Sequence, residues 1–320
     1  MTAKGQHFLL STAARTLSLA KVMRMTEDQA FDAFRSIRWA DTDGDAVCGK
    51  CGGCECYTFK ARRIFKCKAC SSQFSVTSGT IFASRKMQLR DILAAIAIFV
   101  NGAKGRSALQ LSRDLDCQYK TAFVLTHKLR EALAAEQAAS TIEGVVEVDG
   151  AYFGGYVKPA NRREDRVDRR RKIRQTGKRQ VVIVARERNG ETLTHVAPTE
   201  AAGVPFVLAT VANGSTVHAD EASHWDDVER RYLTKRINHS VEYSTAEACT
   251  NQAESFFSRL RRAEIGMHHH IAGRYLSSYA MEMAWREDNR RISNGEQFLL
   301  ATSSALAHPV SRQWKGYWQR

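Results

Sequence analysis

The 320-residue chain contains no apolar run long enough to cross a bilayer. The longest, Ile92–Val100, falls far short of the ~20 residues a spanning helix needs. No internal repeat is visible, and cysteine is absent until Cys48. Acid is scarce relative to base: 34 Asp+Glu against 48 Lys+Arg leave a net charge of +14 and a pI near 9.6. Residues 1–25 hold no acid, only Lys4, Arg15, Lys21 and Arg24 among several Ser and Thr. That composition can mimic an organelle transit peptide; a basic amphipathic helix leading into the protein is the preferred reading, and no convincing secretory signal is seen. An apolar content of 43% and a charged content of 26% exclude a disordered or collagen-like chain. The length suggests about two domains. The basic excess points to a polyanionic partner, most often nucleic acid.

Of the eight cysteines, Cys48, Cys51, Cys54, Cys56, Cys67 and Cys70 crowd together, while Cys117 and Cys249 stand apart and read as ordinary buried thiols. Cys48-Gly-Lys-Cys51 and Cys67-Lys-Ala-Cys70 are paired at zinc-binding spacing. Two residues between thiolates let both sulfurs reach one tetrahedral ion from a tight turn. Cys51 and Cys54 form a second possible first pair. Cys48/Cys51 is preferred because its distance to the second pair is normal and Gly52 follows with a permissive backbone. Tyr57–Phe59 and Arg63–Lys66 alternate like hairpin strands, with a third strand possible at Gln73–Val76. The result is a zinc ribbon. A closed four-cysteine site is structural, and Lys50, Lys60, Arg62, Arg63, Lys66 and Lys68 make the ribbon a DNA-contacting module. The cysteine usage predicts a reducing compartment.

Apolar residues at helical spacing predict a helix over 26–39 with Thr26 as N-cap, and helices again over 88–131, where Leu89, Ile92, Leu93, Ile96 and Phe99 form one stripe. Ser107 to about Arg130 reads as a helix-turn-helix with its turn near Leu115–Cys117, putting Gln118, Tyr119, Lys120 and Thr121 at the reading end. From 145 the period becomes strand-like at Val145–Val148, Gln180–Ala185, Leu193–Ala197, Thr216–Ala219 and Ile237–Val241, with helices at 201–212, 223–233 and from about 251. This is an α/β pattern. The expected organisation is an N-terminal helical segment (1–45), a zinc ribbon (46–85), the helix-turn-helix region (86–140), an α/β domain (141–290) and a C-terminal tail (291–320).

Asp149 and Asp220 close apolar strands, where a carboxylate points into a crevice beside the sheet and two together can hold Mg²⁺. On the helix from 251, Ala253, Phe256, Phe257 and Leu260 cover one side; Asn251, Glu254, Ser255, Ser258, Arg261 and Arg262 cover the other. That polar side can present Glu254, Asn251 and two arginines to a phosphate.

Taken together, Phe31-x-x-Phe-Arg-x-Ile-Arg-Trp39, Cys48–Cys70, Phe74–Phe82, Val146-Glu-Val-Asp149-Gly-x-Tyr-Phe-Gly-Gly155, His218-Ala-Asp220, Thr250–Arg262 and Trp285-Arg-x-x-Asn-Arg-Arg291 resemble the zinc-ribbon DDE transposases of bacterial insertion sequences. The resemblance implies a ribonuclease-H-like core, with Asp149, Asp220 and Glu254 as metal-binding acids. Some members use Asn in the third place, which falls on Asn251, so the third ligand stays open. It further implies structural Zn²⁺, two catalytic Mg²⁺ or Mn²⁺ ions, cleavage at transposon ends, and attack of the freed 3′-OH on target DNA. Alternatives are a structure-selective nuclease of the same fold and a transposase-derived DNA-binding regulator. The expected partner is double-stranded DNA, bound by a homodimer or higher oligomer in the bacterial cytoplasm at the nucleoid, with no membrane involved. Lys158–Arg179 carries a net charge of +8 and reads as a DNA-tracking arm, with Arg169, Arg170 and Arg171 at its centre. His268–His270 are adjacent and cannot all face one ion, so one of them is expected to contact DNA or a phosphate.

Overall fold

A computed structural model describes residues 7–137, 140–154, 160–167, 179–237 and 249–319. In chain order its helices and strands are α1 (Leu19–Met23), α2 (Glu27–Arg38), β1 (Cys56–Phe59), β2 (Ile64–Cys67), β3 (Gln73–Ser75), α3 (Leu89–Asn101), α4 (Ala108–Asp114) and α5 (Tyr119–Gln137). There follow β4 (Val145–Gly154), β5 (Arg179–Glu187), β6 (Thr192–Ala197), α6 (Val204–Thr210), β7 (Thr216–Asp220), α7 (Asp226–Glu229), β8 (Leu233–Ile237), α8 (Asn251–Ala263), α9 (Gly273–Asp288) and α10 (Asn294–Ala307). They form two compact units, one of residues 1–136 with 289–320 and one of 137–288.

In the first unit, α2 begins in a capping box: the Thr26 hydroxyl accepts from Gln29 N while the Gln29 side chain accepts from Thr26 N, satisfying two otherwise orphaned donors. The apolar face of α2 does not stand apart from the ribbon. Phe31 stacks on Phe65 at 5.9 Å, and Phe65 also meets Trp39 at 5.2 Å and Phe74 at 5.6 Å. Arg38 donates to the carbonyls of Ser75, Val76 and Ser78, so helix and ribbon share one core. β1, β2 and β3 form an antiparallel sheet in that order.

The single apolar stripe expected on α3 is too narrow. Leu89 and every residue from Ile92 to Val100 are buried, because Ala94, Ala95 and Ala97 fill the other side where α1, α2 and α10 pack. A helix apolar all round is an interior helix. Its N-terminus is capped by Glu27, whose carboxylate accepts from Leu89 N at 2.8 Å and Arg90 N at 3.2 Å. The expected C-terminal tail is instead structured: α10 opens with a second capping box, Ser293 with Glu296, and the Asn294 side chain accepts from Thr16 N and Leu17 N. Beyond it Trp314 is buried and stacks on His127 at 4.4 Å. The basic N-terminal helix is shorter than expected: within residues 7–25 the longest helix is the five-residue α1.

The second unit is a five-stranded sheet in the order β6-β5-β4-β7-β8. β4, β5 and β6 are antiparallel neighbours, whereas β7 runs parallel to both β4 and β8. The unbroken apolar run of β5 marks a strand covered on both faces. Val181, Ile183 and Ala185 pack with Val204, Val207, Trp225 and Val228 on the α6–α7 side. Val182 and Val184 pack with Phe256, Phe257, Leu260 and Met283 on the α8–α9 side. Arg186 follows on that second side, buried, with Glu287 at 3.1 Å and the Gln252 amide oxygen at 3.0 Å, tying β5 to both helices.

The expected sequence of strands and helices in this unit is the one found, except near its end. The strand expected at 237–241 lies four residues earlier, and the helix expected over 223–233 stops at Glu229. The reason is that β8 is an edge strand: it needs a backbone partner, supplied by the Thr216↔Leu233 to Asp220↔Ile237 register, and no apolar run, so Leu233 is 67% exposed. Residues 238–241 lie outside the described residues. Among the described residues, no helix is long and apolar enough to cross a membrane.

Candidate active site and zinc centre

Strand alternation assigns the acids to a face. In β4, Val146 and Val148 belong to the α6–α7 core while Ala151 and Phe153 belong to the α8–α9 core; with a period of two, Glu147 and Asp149 share the α8–α9 face. In β7, Val217 and Ala219 belong to the α6–α7 core, so His218 and Asp220 face the same way as Glu147 and Asp149. The parallel pairing ends at Glu147↔His218, which puts Asp149 and Asp220 two residues beyond the last paired rung, on the same face. Only Asp220 closes its strand as expected; β4 runs on past Asp149 to Gly154 because β5 continues to pair with it, so Asp149 is a mid-strand residue that faces the crevice left where β7 ends.

Asp149 is half-buried and accepts from Gly150 N at 2.7 Å. Burial, together with the nearby carboxylates of Asp220, Glu254 and Glu200, lifts its carboxyl to about 7. Asp220 accepts from Ala222 N at 3.2 Å, and Arg236 grips the loop behind it through the carbonyls of Asp220 and Ala222. Glu254 lies half-buried in the first turn of α8, while Asn251, at the start of that helix, is exposed. Glu200 is a fourth acid that sequence reasoning missed. Burial raises its pKa, with Asp220 adding to the effect, and His224 Nε2 lies 3.5 Å from its carboxylate. Gly150 makes room for it: a Cβ there would lie 2.7 Å from Glu200 Cγ.

The pair one step deeper, Glu147 and His218, holds the start of α8. Glu147 has no solvent exposure and accepts from Gln252 N at 2.7 Å, Ala253 N at 3.2 Å and Arg188 Nε at 3.0 Å. A buried carboxylate at this point satisfies helix donors that have no intrahelical partner and meets the positive end of the helix dipole. His218 Nδ1 accepts from Cys249 N at 3.0 Å, and Arg188 donates to the Cys249 carbonyl. Glu147 and His218 were overlooked although each sits two residues before a candidate acid in an apolar strand, the alternation that puts them on the same face. Glu200, by contrast, follows β6 with no motif around it. Cys249 is half-buried beside Glu147, and Cys117 is also half-buried, so each is less enclosed than the ordinary buried thiol expected.

In the other unit, the sulfurs of Cys48, Cys51, Cys67 and Cys70 all lie within 4.8 Å of one another, the group of metal-ligating side chains among the described residues that gathers so closely. Cys48 and Cys70 are 3.6 Å apart and Cys51 and Cys67 3.5 Å. A tetrahedral zinc ~2.3 Å from each sulfur separates them by about 3.8 Å, so the donor set fits that ion. The backbone amides of Lys50 and Cys51 pull the Cys48 thiol down to about 7, and that of Cys70 lowers Cys67, whereas Cys51, despite the Gly53 amide, is pushed up to about 12 by the adjacent Cys70 and Cys67 sulfurs; the first two are readied as thiolates, and Cys51 would release its proton on binding the ion. Gly52 takes the positive φ of +73° that closes the first turn. Cys54 and Cys56 stay outside the cluster, their sulfurs directed to the carbonyls of Gly52 and Gly53.

α4 and α5 lie on either side of the turn expected at Leu115–Cys117, and α5 runs on to Gln137. Gln118, Tyr119 and Lys120 are exposed at its beginning. Arg261 and Arg262 are exposed on α8; the Arg261 guanidinium lies 5.7 Å from the Phe153 ring centre, and Arg262 bonds the Ser258 carbonyl. Arg169, Arg170 and Arg171 lie outside the described residues. His268 meets Tyr279 edge-on at 4.5 Å, and the three adjacent histidines form no metal-ligating group among the described residues.

Comparison with known proteins matches residues 25–73 to a transposase zinc-ribbon domain and residues 141–288 to an ISXO2-like transposase domain. The chain is 25% identical over 299 residues, covering 88% of its own length and 98% of the relative's, to an uncharacterized protein in transposable element ISH50 of Halobacterium salinarum. With both the ribbon and the acid-bearing unit matched, the chain belongs to the zinc-ribbon transposase family of insertion sequences.

Proposed function

We propose that the protein is a DNA transposase that binds transposon ends and catalyses divalent-metal-dependent strand cleavage and strand transfer, on a ribonuclease-H-like core. The observation that carries this reading is the convergence of Asp149 and Asp220, from adjacent parallel strands, with Glu254 of α8 on one sheet face. A carboxylate lifted by burial and by the acids around it is relieved by a hard cation, so Asp149, Asp220 and Glu254 are the residues that would hold Mg²⁺ or Mn²⁺. Such ions supply Lewis-acid stabilisation of phosphoryl oxygens and of the attacking and leaving oxygens. Glu254 is favoured over Asn251 as the third ligand because it is the one whose charge reaches Asp149. Asn251 then orients a substrate phosphate. Glu147, Arg188 and His218 fix the start of α8 and with it the height of Glu254 above the sheet.

The zinc ribbon, α4–α5 as a helix-turn-helix, Arg261, Arg262 and the basic arm around Arg169–Arg171 bind DNA in this reading. The test joins end-labelled DNA from either side of the coding region to a target plasmid. With Mg²⁺ the wild type forms joined product. Asp149→Asn and Asp220→Asn bind the same ends with unchanged affinity and form none. Joined product from Asp149→Asn at the wild-type rate, or a wild type without affinity for the ends, would contradict the proposal.

A further inference from the structure

The first unit holds a cleft of about 440 Å³ between residues 82–87, the start of α5 and the C-terminal residues 314–319. Five of the side chains that line it are cations, Arg85, Lys86, Lys120, Lys128 and Lys315, and none is an acid. Between the cations stand the aromatic side chains of Trp314, Tyr317 and Trp318. Trp318 is 46% exposed, held edge-on to Tyr317 at 5.1 Å, with Lys120 Nζ 5.2 Å from its ring centre.

From this lining we infer a binding site for an unpaired DNA strand: a base stacked against Trp318, with its phosphates paired to the surrounding cations. The inference rests on the DNA-binding reading above and goes beyond it, because a duplex keeps its bases stacked on one another and has none to offer an aromatic ring. Cationic grooves interleaved with aromatic rings are how proteins hold single strands without regard to sequence. The volume falls in the range of sites that enclose one small ligand, enough for a nucleotide and too little for a duplex. Burial also pulls the Lys128 ammonium below its ordinary value, a penalty that an anion in the cleft relieves. The cleft lies beside Gln118 and Lys120, so a strand leaving a duplex bound at the start of α5 would reach it directly.

The test compares, by fluorescence anisotropy at fixed salt, the full chain's affinity for a blunt duplex of its flanking DNA and for the same duplex carrying a short unpaired thymidine tail. The wild type is expected to bind the tailed duplex more tightly. Trp318→Ala should remove that preference, a loss of about tenfold in tailed-duplex affinity, while blunt-duplex affinity stays the same. Trp318→Phe, which keeps a ring, should retain most of the preference, and Lys128→Gln should lose part of it. Equal binding of blunt and tailed duplexes by the wild type would overturn the inference. So would an equal loss on both duplexes in Trp318→Ala, which would make Trp318 an ordinary duplex contact or a packing residue. Binding of neither duplex by the wild type would overturn the DNA-binding reading together with this one.

Discussion

Replacing Glu147 with alanine removes a carboxylate that has no exposed surface and accepts from Arg188 Nε, Gln252 N and Ala253 N, with the Cys249 thiol as a weaker fourth donor. Two helix N–H groups lose their partner in a buried place, and Arg188 loses its counter-charge. Breaking a buried ion pair from one side costs about 3–5 kcal/mol. The Arg188 side chain is 34% exposed and recovers some hydration, which places the expectation near the lower end, about 3 kcal/mol. In a unit of about 150 residues each kcal/mol moves the melting temperature by roughly 2–4 °C, so the calorimetric transition of residues 137–288 should fall by roughly 6–12 °C. Glu147→Gln keeps one oxygen for the helix and should lose about half as much. Strand transfer should drop further than stability explains, because the first turn of α8 carries Glu254, while DNA-end affinity holds. A double-mutant cycle with Arg188→Met should return a coupling of about 1–3 kcal/mol. A Glu147→Ala transition within about 2 °C of the wild type, less than the shift expected from even 1 kcal/mol, would refute the anchoring argument.

Other outcomes follow from the same geometry. Cys67→Ser should lose bound zinc by elemental analysis and unfold the ribbon, whereas Cys54→Ser and Cys56→Ser should keep one zinc per chain; loss of zinc in Cys54→Ser would reassign the ligands. Gly150→Ala drives a Cβ into Glu200 and should cost about 1–3 kcal/mol, relieved in the double variant with Glu200→Ala; no relief on denaturant titration would show that the two do not collide. Burial lifts the Asp288 carboxyl from its ordinary 3.8 to about 6, so between those values the folded state holds a proton that the unfolded state has released. Stability contributed by this group therefore falls as pH rises from about 4 to about 6. Asp288→Asn removes the dependence, and relative to wild type its stability should improve by on the order of 2–3 kcal/mol across that window; parallel pH profiles would contradict this.

The helices and strands were legible wherever one residue's periodicity decided its burial. The apolar side of α8 is the one read from Ala253, Phe256, Phe257 and Leu260, and the cysteine spacing picked out the four sulfurs that converge. Legibility failed where burial depends on partners distant in sequence. α3 shows one stripe in isolation and becomes interior because α10, nearly two hundred residues later, covers its other side. β8 is held by backbone pairing with β7 and by the Arg236 ion pairs to Asp226 and Glu229, so its sequence carries no apolar run to announce it. Glu200 joins the acids because β6 turns its end toward Gly150, and a lone Glu after a strand announces nothing of that kind. Arg186 likewise reads as a strand-end charge until Glu287 and Asp288 arrive from α9.

The central claim is that Asp149, Asp220 and Glu254 act as one metal-binding set, and the most direct measurement is strand transfer by Glu254→Gln with end binding measured on the same preparation. The substitution preserves shape and removes one negative charge. The predicted result is DNA-end affinity equal to wild type with strand transfer lost, on the order of a hundredfold or more, and a much smaller loss in Asn251→Ala. Near-normal strand transfer by Glu254→Gln, with Asn251→Ala inactive, would contradict the assignment and make Asn251 the third ligand.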